Sequence, residues 1–135
     1  MYRVTREIAF CYGHRLLNYE GKCKHLHGHN GRAVIVLEAQ SLDARGMLVD
    51  FVEIKQKVQR WIDENLDHNM LLCRDDPILP VLVEQGERVF VMDANPTAEN
   101  IARLIFERTA DEGLPVVEVI LWETEKCYAA YSSPA

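Results

Sequence analysis

The four cysteines, Cys11, Cys23, Cys73 and Cys127, include no C-x-x-C pair. Without such a pair, and in the reducing compartment argued for next, a disulfide framework is not expected and each is read as a free thiol. No apolar run approaches the ~20 residues that a membrane-spanning helix needs. The opening residues, Met1-Tyr2-Arg3-Val4-Thr5-Arg6-Glu7, carry charges where a signal peptide needs an apolar core, so a cytoplasmic location is expected. Positive charge is not in excess either: the net charge of −6 argues against non-specific nucleic-acid binding, although a local cluster can still bind an anion. Internal repeats, low-complexity tracts and Pro/Gly-rich linkers are also lacking, which leaves one domain over residues 1–135. What is present suits that reading, since 135 residues at 48% hydrophobic can build a real core.

The pattern alternates between strand and helix. Val4, Ile8, Phe10 and Tyr12 share one parity and Arg3, Thr5 and Glu7 the other, which predicts a strand over Arg3 to Tyr12 with His14 on the apolar parity. Arg32 to Ala39 is β-branched and apolar, a largely buried strand, and His27 and His29 are in phase with Ala33, Ile35 and Leu37 if no bulge intervenes. Gly46 opens a short strand, Met47 to Val49. Asp50 and Glu53 form an acidic capping box for a helix to about Asn65, whose apolar stripe is Ile54, Val58, Trp61 and Ile62. Between Asp75 and Pro96 the pattern gives a short helix from Ile78 to Gln85, a stop at Gly86 and a strand from Arg88 to Met92. Thr97 is a good N-cap for a second long helix reaching Ala110. Val116 to Thr124 and Cys127 to Tyr131 close the chain as two strands around a turn at Glu125-Lys126. Strands that adjoin in pairs favour an antiparallel sheet with helices on one face, an α+β fold.

Four of the five histidines lie between positions 14 and 29: His14, His25, His27 and His29. Residues two apart on a strand point the same way, so an H-x-H pair presents two imidazoles to one point, as tetrahedral Zn²⁺ requires. His25 and His29 would lie ~13 Å apart along an extended strand, too far to share one ion. Two of the three are therefore expected to bind, with His14 as the best third ligand. Three histidines would leave a fourth position open, the mark of a catalytic zinc site. Each histidine taken singly reads better as an ordinary loop or core residue; the set is what points to a metal.

Cys23 lies between Lys22 and Lys24, whose charges favour a thiolate, so it could act as base or nucleophile, as a fourth zinc ligand, or as an inert thiol. Asp67 and His68 adjoin after the first helix; such a pair can tune proton transfer or merely finish a helix. Glu123 continues the apolar series Val117, Val119, Leu121, and a carboxylate there needs a partner, either a ligand with two N–H donors or a basic side chain. Arg15, Lys22, Lys24 and Arg32 lie near the histidines and are, singly, solvated loop charges.

Six segments in order resemble the 6-pyruvoyltetrahydropterin synthase family and its bacterial branch, the 6-carboxytetrahydropterin synthases. They are Phe10-Cys11-Tyr12-Gly13-His14-Arg15-Leu16, Cys23-Lys24-His25-Leu26-His27-Gly28-His29, Gly46-Met47-Leu48-Val49-Asp50-Phe51, Leu66-Asp67-His68, Pro96-Thr97-Ala98-Glu99-Asn100 and Trp122-Glu123-Thr124. By position, the resemblance implies zinc ligands at His14, His27 and His29, a catalytic thiol at Cys23 with Asp67 and His68 as its partners, and a pterin-anchoring carboxylate at Glu123. Thr97 and Glu99 belong to the motif that lines the pterin pocket.

The resemblance further implies the tunnelling fold: a four-stranded antiparallel sheet with two helices on one face, assembled into a trimeric barrel, with trimers pairing into a hexamer. Active sites then lie between subunits of the homo-oligomer. The implied reaction is zinc-dependent conversion of 7,8-dihydroneopterin triphosphate to 6-carboxy-5,6,7,8-tetrahydropterin, releasing acetaldehyde and triphosphate, on the way to queuosine precursors. The three residues between Cys23 and His27 resemble the bacterial branch. The sister activity, elimination to a 6-pyruvoyl product, and a homologue that binds zinc or pterin without catalysis are the alternatives. The segment from Leu71 to Asn95 is longer than in compact members, and Leu72 stands where the family often has Asn.

Overall fold

The computed structural model describes residues 1–134. Strand β1 (Tyr2–His14) is followed by a single 3-10 turn at Lys22–Lys24 and by β2 (His27–Ala39). A continuous helical run, 51–65, comprises α1 (Phe51–Ile54), a π-helical stretch Lys55–Gln59, and α2 (Arg60–Asn65). Then come β3 (Asn69–Cys73), α3 (Leu79–Glu84), β4 (Val89–Met92), α4 (Ala98–Asp111), β5 (Val116–Trp122) and β6 (Tyr128–Ser132).

The strands form one mixed sheet in the order β4-β3-β1-β2-β5-β6. Four of them, β1, β2, β5 and β6, pair antiparallel, as strands that adjoin in pairs imply. The expected four-stranded sheet is nevertheless too small, because β3 and β4 add two parallel strands beside β1. The segment 71–95 supplies most of that addition. Strand β3 has no strand signature in the sequence because Met70-Leu71-Leu72-Cys73 is short and holds no β-branched residue; Leu71, Leu72 and Cys73 are all buried, as in a parallel strand covered on both faces. The short strand expected at Met47 to Val49 does not form. Asp43 takes those backbone bonds instead, with its carboxylate accepting from Met47 N–H at 3.0 Å and its N–H donating to Met47 O at 2.8 Å, around Gly46 at φ +81°.

Register explains the core. Ile8 pairs with Ala33, Ala33 with Leu121, and Ile35 with Val119, so these apolar side chains share one face of the sheet. Ile54, Val58 and Ile62 from the helical run, with Ile101, Ala102 and Ile105 from α4, bury against that face, consistent with two long helical elements on one side. Asp50 caps the first by accepting from Val52 N–H at 2.9 Å, and Thr97 caps α4 by accepting from Asn100 N–H at 3.2 Å. The opposite face is polar across strands: Arg3 pairs with Glu38, and Arg32 lies 5.0 Å above the Trp122 ring. No helix among the described residues is long and apolar enough to cross a membrane.

Candidate functional site

The end of β1 and the start of β2 carry the histidines. No bulge separates them: His14 lies opposite His27, and Tyr12 opposite His29. Because all four share the core-facing parity, three imidazoles converge, with ring centroids 4.6 Å (His14 and His27), 5.1 Å (His14 and His29) and 4.9 Å (His27 and His29) apart. Each offers a ring nitrogen within 4.8 Å of the others.

The outer nitrogens of two rings are already fixed. His14 Nδ1 lies 2.6 Å from Pro96 O and His27 Nδ1 2.7 Å from His25 O; a carbonyl can only accept, so both Nδ1 atoms carry the proton. In those two rings Nε2 is left as the lone-pair nitrogen. The Nε2 atoms of His14, His27 and His29 are all buried with no hydrogen-bond partner. Leaving a buried polar atom unsatisfied costs about 1–3 kcal/mol, so three facing one point describe a site shaped for an electron-pair acceptor. Burial pushes the His14 imidazole below its ordinary value, against the opposing pull of Pro96 and Glu123, and burial likewise lowers His29. Neutral imidazole is the ligating form, and the second hydrogen bond through Nδ1 is what orients a metal-binding histidine. The arrangement fits a divalent cation with nitrogen donors. His25 contributes its backbone carbonyl.

Glu123, just past β5, approaches the same point. Its Oε1 lies 3.5 Å from His14 Nε2 and 3.6 Å from His29 Nε2, and accepts from the Tyr12 hydroxyl at 3.3 Å. Burial, then the Glu123 charge, push the Tyr12 phenol far above its ordinary value, so it stays a donor. Glu123 and Glu99 line one cavity of 380 Å³. Thr97 engages its hydroxyl in the α4 cap, and Asn95 binds the N–H and C=O of Leu17 at 2.9 and 2.8 Å, so the Pro96-Thr97 segment clamps the loop after His14.

Asp67 and His68 stand at a second cluster. Asp67 Oδ2 lies 2.9 Å from His68 Nδ1, contrary to the general difficulty of adjacent residues bonding, because His68 adopts a left-handed φ of +60°. Asp67 Oδ1 accepts from Cys11 N–H at 2.9 Å, and His68 N–H donates to Cys11 O at 2.7 Å. Burial pushes the Asp67 carboxyl up, but the hydrogen bonds from Cys11 and His68 outweigh it and hold the carboxyl below its usual value. The thiol within 4.8 Å of this pair is Cys11. Cys23 does not join it in the same chain; it sits half-buried in the Lys22–Lys24 turn, tied to the segment just after β1 by Leu16 N–H donating to its carbonyl at 2.8 Å. His29 and His68 nevertheless face one cavity of 780 Å³, with Cys11 and Arg88 in its wall. Of the basic residues near the histidines, Arg15 is committed to the buried Asp76 carboxylate and Lys24 lies 3.8 Å from Glu20.

Sequence reasoning missed Cys11, Tyr12 and Pro96 as parts of these clusters. Tyr12 had a signal, its shared parity with His14; Cys11 and Pro96 act through partners 56 and 82 positions away and had none.

Known proteins match this architecture from end to end. The model of the 6-pyruvoyl tetrahydropterin synthase family matches residues 3–134. The chain is 38% identical to a 6-carboxy-5,6,7,8-tetrahydropterin synthase of Rickettsia typhi, covering 95% of this chain and 98% of that protein. It is 30% identical to the protein of the same name in Haemophilus influenzae, over 97% and 99%. Among solved structures, the 6-pyruvoyl tetrahydropterin synthase of Caenorhabditis elegans superimposes with a TM-score of 0.74 at 21% identity, over 98% of this chain and 96% of that one, a likeness of fold. With the family model matching residues 3–134 and a relative 38% identical over nearly the whole of both chains, the chain belongs to the 6-pyruvoyl tetrahydropterin synthase family.

Proposed function

We propose that the chain is a zinc-dependent lyase that converts 7,8-dihydroneopterin triphosphate to 6-carboxy-5,6,7,8-tetrahydropterin with release of acetaldehyde and triphosphate. The observation that carries the reading is the convergence of three buried, unpartnered Nε2 atoms from His14, His27 and His29. These nitrogens would hold Zn²⁺. Bound there, the ion would polarise the side-chain oxygens of the substrate and acidify the adjacent C–H and O–H groups. The names of the curated relatives support the 6-carboxy product over the 6-pyruvoyl one.

The chain's own groups take the other roles. Glu123, with Glu99 in the wall of the same cavity, accepts the N–H donors of the pterin ring, as a carboxylate with two oxygens can. Thr97 holds that wall by capping α4. Cys23, in the turn between Lys22 and Lys24, removes and returns a proton at the side chain. His68, oriented by Asp67, relays that proton to solvent.

Cys23 and the Asp67–His68 pair then meet between copies of the chain. Strands β4 and β6 are the edges of the sheet. The β6 segment Tyr128-Ala129-Ala130-Tyr131-Ser132 carries no charge or proline to discourage pairing, so an edge-joined homo-oligomer, a trimer or a pair of trimers, is the assembly these edges suit.

The test is incubation of zinc-loaded protein with dihydroneopterin triphosphate, following acetaldehyde and pterin products by mass spectrometry, beside Cys23→Ala. Acetaldehyde and a 6-carboxy pterin, lost in the variant, is the expected result. A 6-pyruvoyl product would move the protein to the sister activity, and zinc binding without turnover would make it a binding homologue.

A further inference from the structure

Glu123 stands in a place where a carboxylate has two incompatible uses. Its Oε1 is 3.5 and 3.6 Å from two Nε2 atoms that face one point with no other partner. A carboxylate so close to a divalent ion among three histidines is a natural fourth ligand, at about 2.0–2.2 Å, and four protein ligands would close the site. A closed site leaves no coordination position for a substrate oxygen.

Among the described residues one group donates a hydrogen bond to the Glu123 carboxylate, and that is the Tyr12 hydroxyl, at 3.3 Å from Oε1. Tyr12 is only 3% exposed, and its ring stands edge-on to His14 at 5.3 Å and tilted to His29 at 5.7 Å. The place for the ring is built into the strand beside it. A Cβ at Gly31 would come within 2.8 Å of Tyr12 Cε1, so the bare backbone there makes room for the ring that carries the hydroxyl to Glu123. A protonated phenol is a poor metal ligand, so its contact with Oε1 is that of a hydrogen-bond donor, at the long end for an O–H···O bond.

We propose that Tyr12 is a positioning residue that holds Glu123 out of the fourth coordination position, so that the carboxylate serves the substrate and the metal stays open. This rests on the zinc reading above. Removing the hydroxyl in Tyr12→Phe keeps the ring and its packing while freeing Oε1 to join the metal.

The experiment measures chelator-driven zinc release and the visible absorption of the Co²⁺-substituted protein for wild type, Tyr12→Phe, Glu123→Gln and the double variant. Tyr12→Phe is expected to release zinc more slowly by roughly tenfold, the scale on which a single supporting partner changes metal affinity. Its Co²⁺ spectrum should change, its kcat should fall, and Glu123→Gln added to it should restore the wild-type release rate and spectrum. Glu123→Gln alone should leave zinc release unchanged, because the wild-type carboxylate does not ligate. Unchanged release and spectrum in Tyr12→Phe would overturn the proposal while leaving the zinc reading intact, and so would faster release in Glu123→Gln, which stays informative even if Tyr12→Phe misfolds. A wild-type protein that holds neither Zn²⁺ nor Co²⁺ would overturn the zinc reading itself, and this proposal with it.

Discussion

Two clusters in this molecule each bring three ligand-type side chains within 4.8 Å, yet they differ in what is left over. At His14, His27 and His29 the outer nitrogens of two rings are bound to backbone carbonyls and three inner nitrogens are buried with nothing to bind. At Cys11, Asp67 and His68 both carboxylate oxygens are already hydrogen-bonded, and His68 is exposed to solvent. Proximity is the same in both; satisfaction is not. A buried lone pair without a partner calls for an ion, whereas a carboxylate that orients an exposed imidazole is an arrangement for moving protons.

The largest effect expected from this contrast is on metal binding. His27→Ala should lower zinc affinity by more than the roughly 10–100-fold that follows loss of an outer-sphere partner, measured by chelator competition. Cys11→Ser should leave it unchanged. Equal loss from both would erase the distinction. The next effect is on rate. Asp67→Asn should reduce turnover by about 10²–10⁴, the range of a general acid–base contribution, with full zinc content by elemental analysis. Zinc lost along with activity would mean that the second cluster also binds the metal.

The smallest effect separates the clusters by pH in the metal-free protein. His14 and His29 have folded values lowered from 6.5, so on acidification the unfolded chain takes up protons first. Their contribution is complete above 6.5 and declines as the pH falls from 6.5 towards the depressed folded values. Asp67 is lowered from 3.8, so its contribution is present above 3.8 and is lost only as the pH falls below that. Urea unfolding across this range should show the upper step in wild type and a reduced one in His14→Gln. A wild-type profile flat between pH 7 and 5 would contradict the burial argument for the histidines.

The histidine end was legible because its information is local. Parity along Arg3 to Tyr12 puts His14 on the core side, and parity back from Ala33 puts His27 and His29 there; an uninterrupted register then brings the three together. The second cluster was only half legible. Asp67 and His68 adjoin in sequence, but Cys11 falls on the parity opposite Tyr12, with no sign of a carboxylate 56 positions away. The same limit applies to the fold. Strand β1 alternates, and β2 and β5 are longer β-branched runs, so these could be read, with β6 following β5 across a turn. β3 is a short unbroken apolar run, and Met47 to Val49, strand-like in composition, is drawn into a turn by the Asp43 side chain.

The most direct test of the central claim is X-ray absorption at the zinc edge of the loaded protein. The account predicts three imidazole nitrogens at about 2.0–2.1 Å, a further light-atom ligand and no sulfur. A sulfur shell near about 2.3 Å would place Cys23 or Cys11 on the metal and contradict the assignment of His14, His27 and His29 as the protein's complete ligand set.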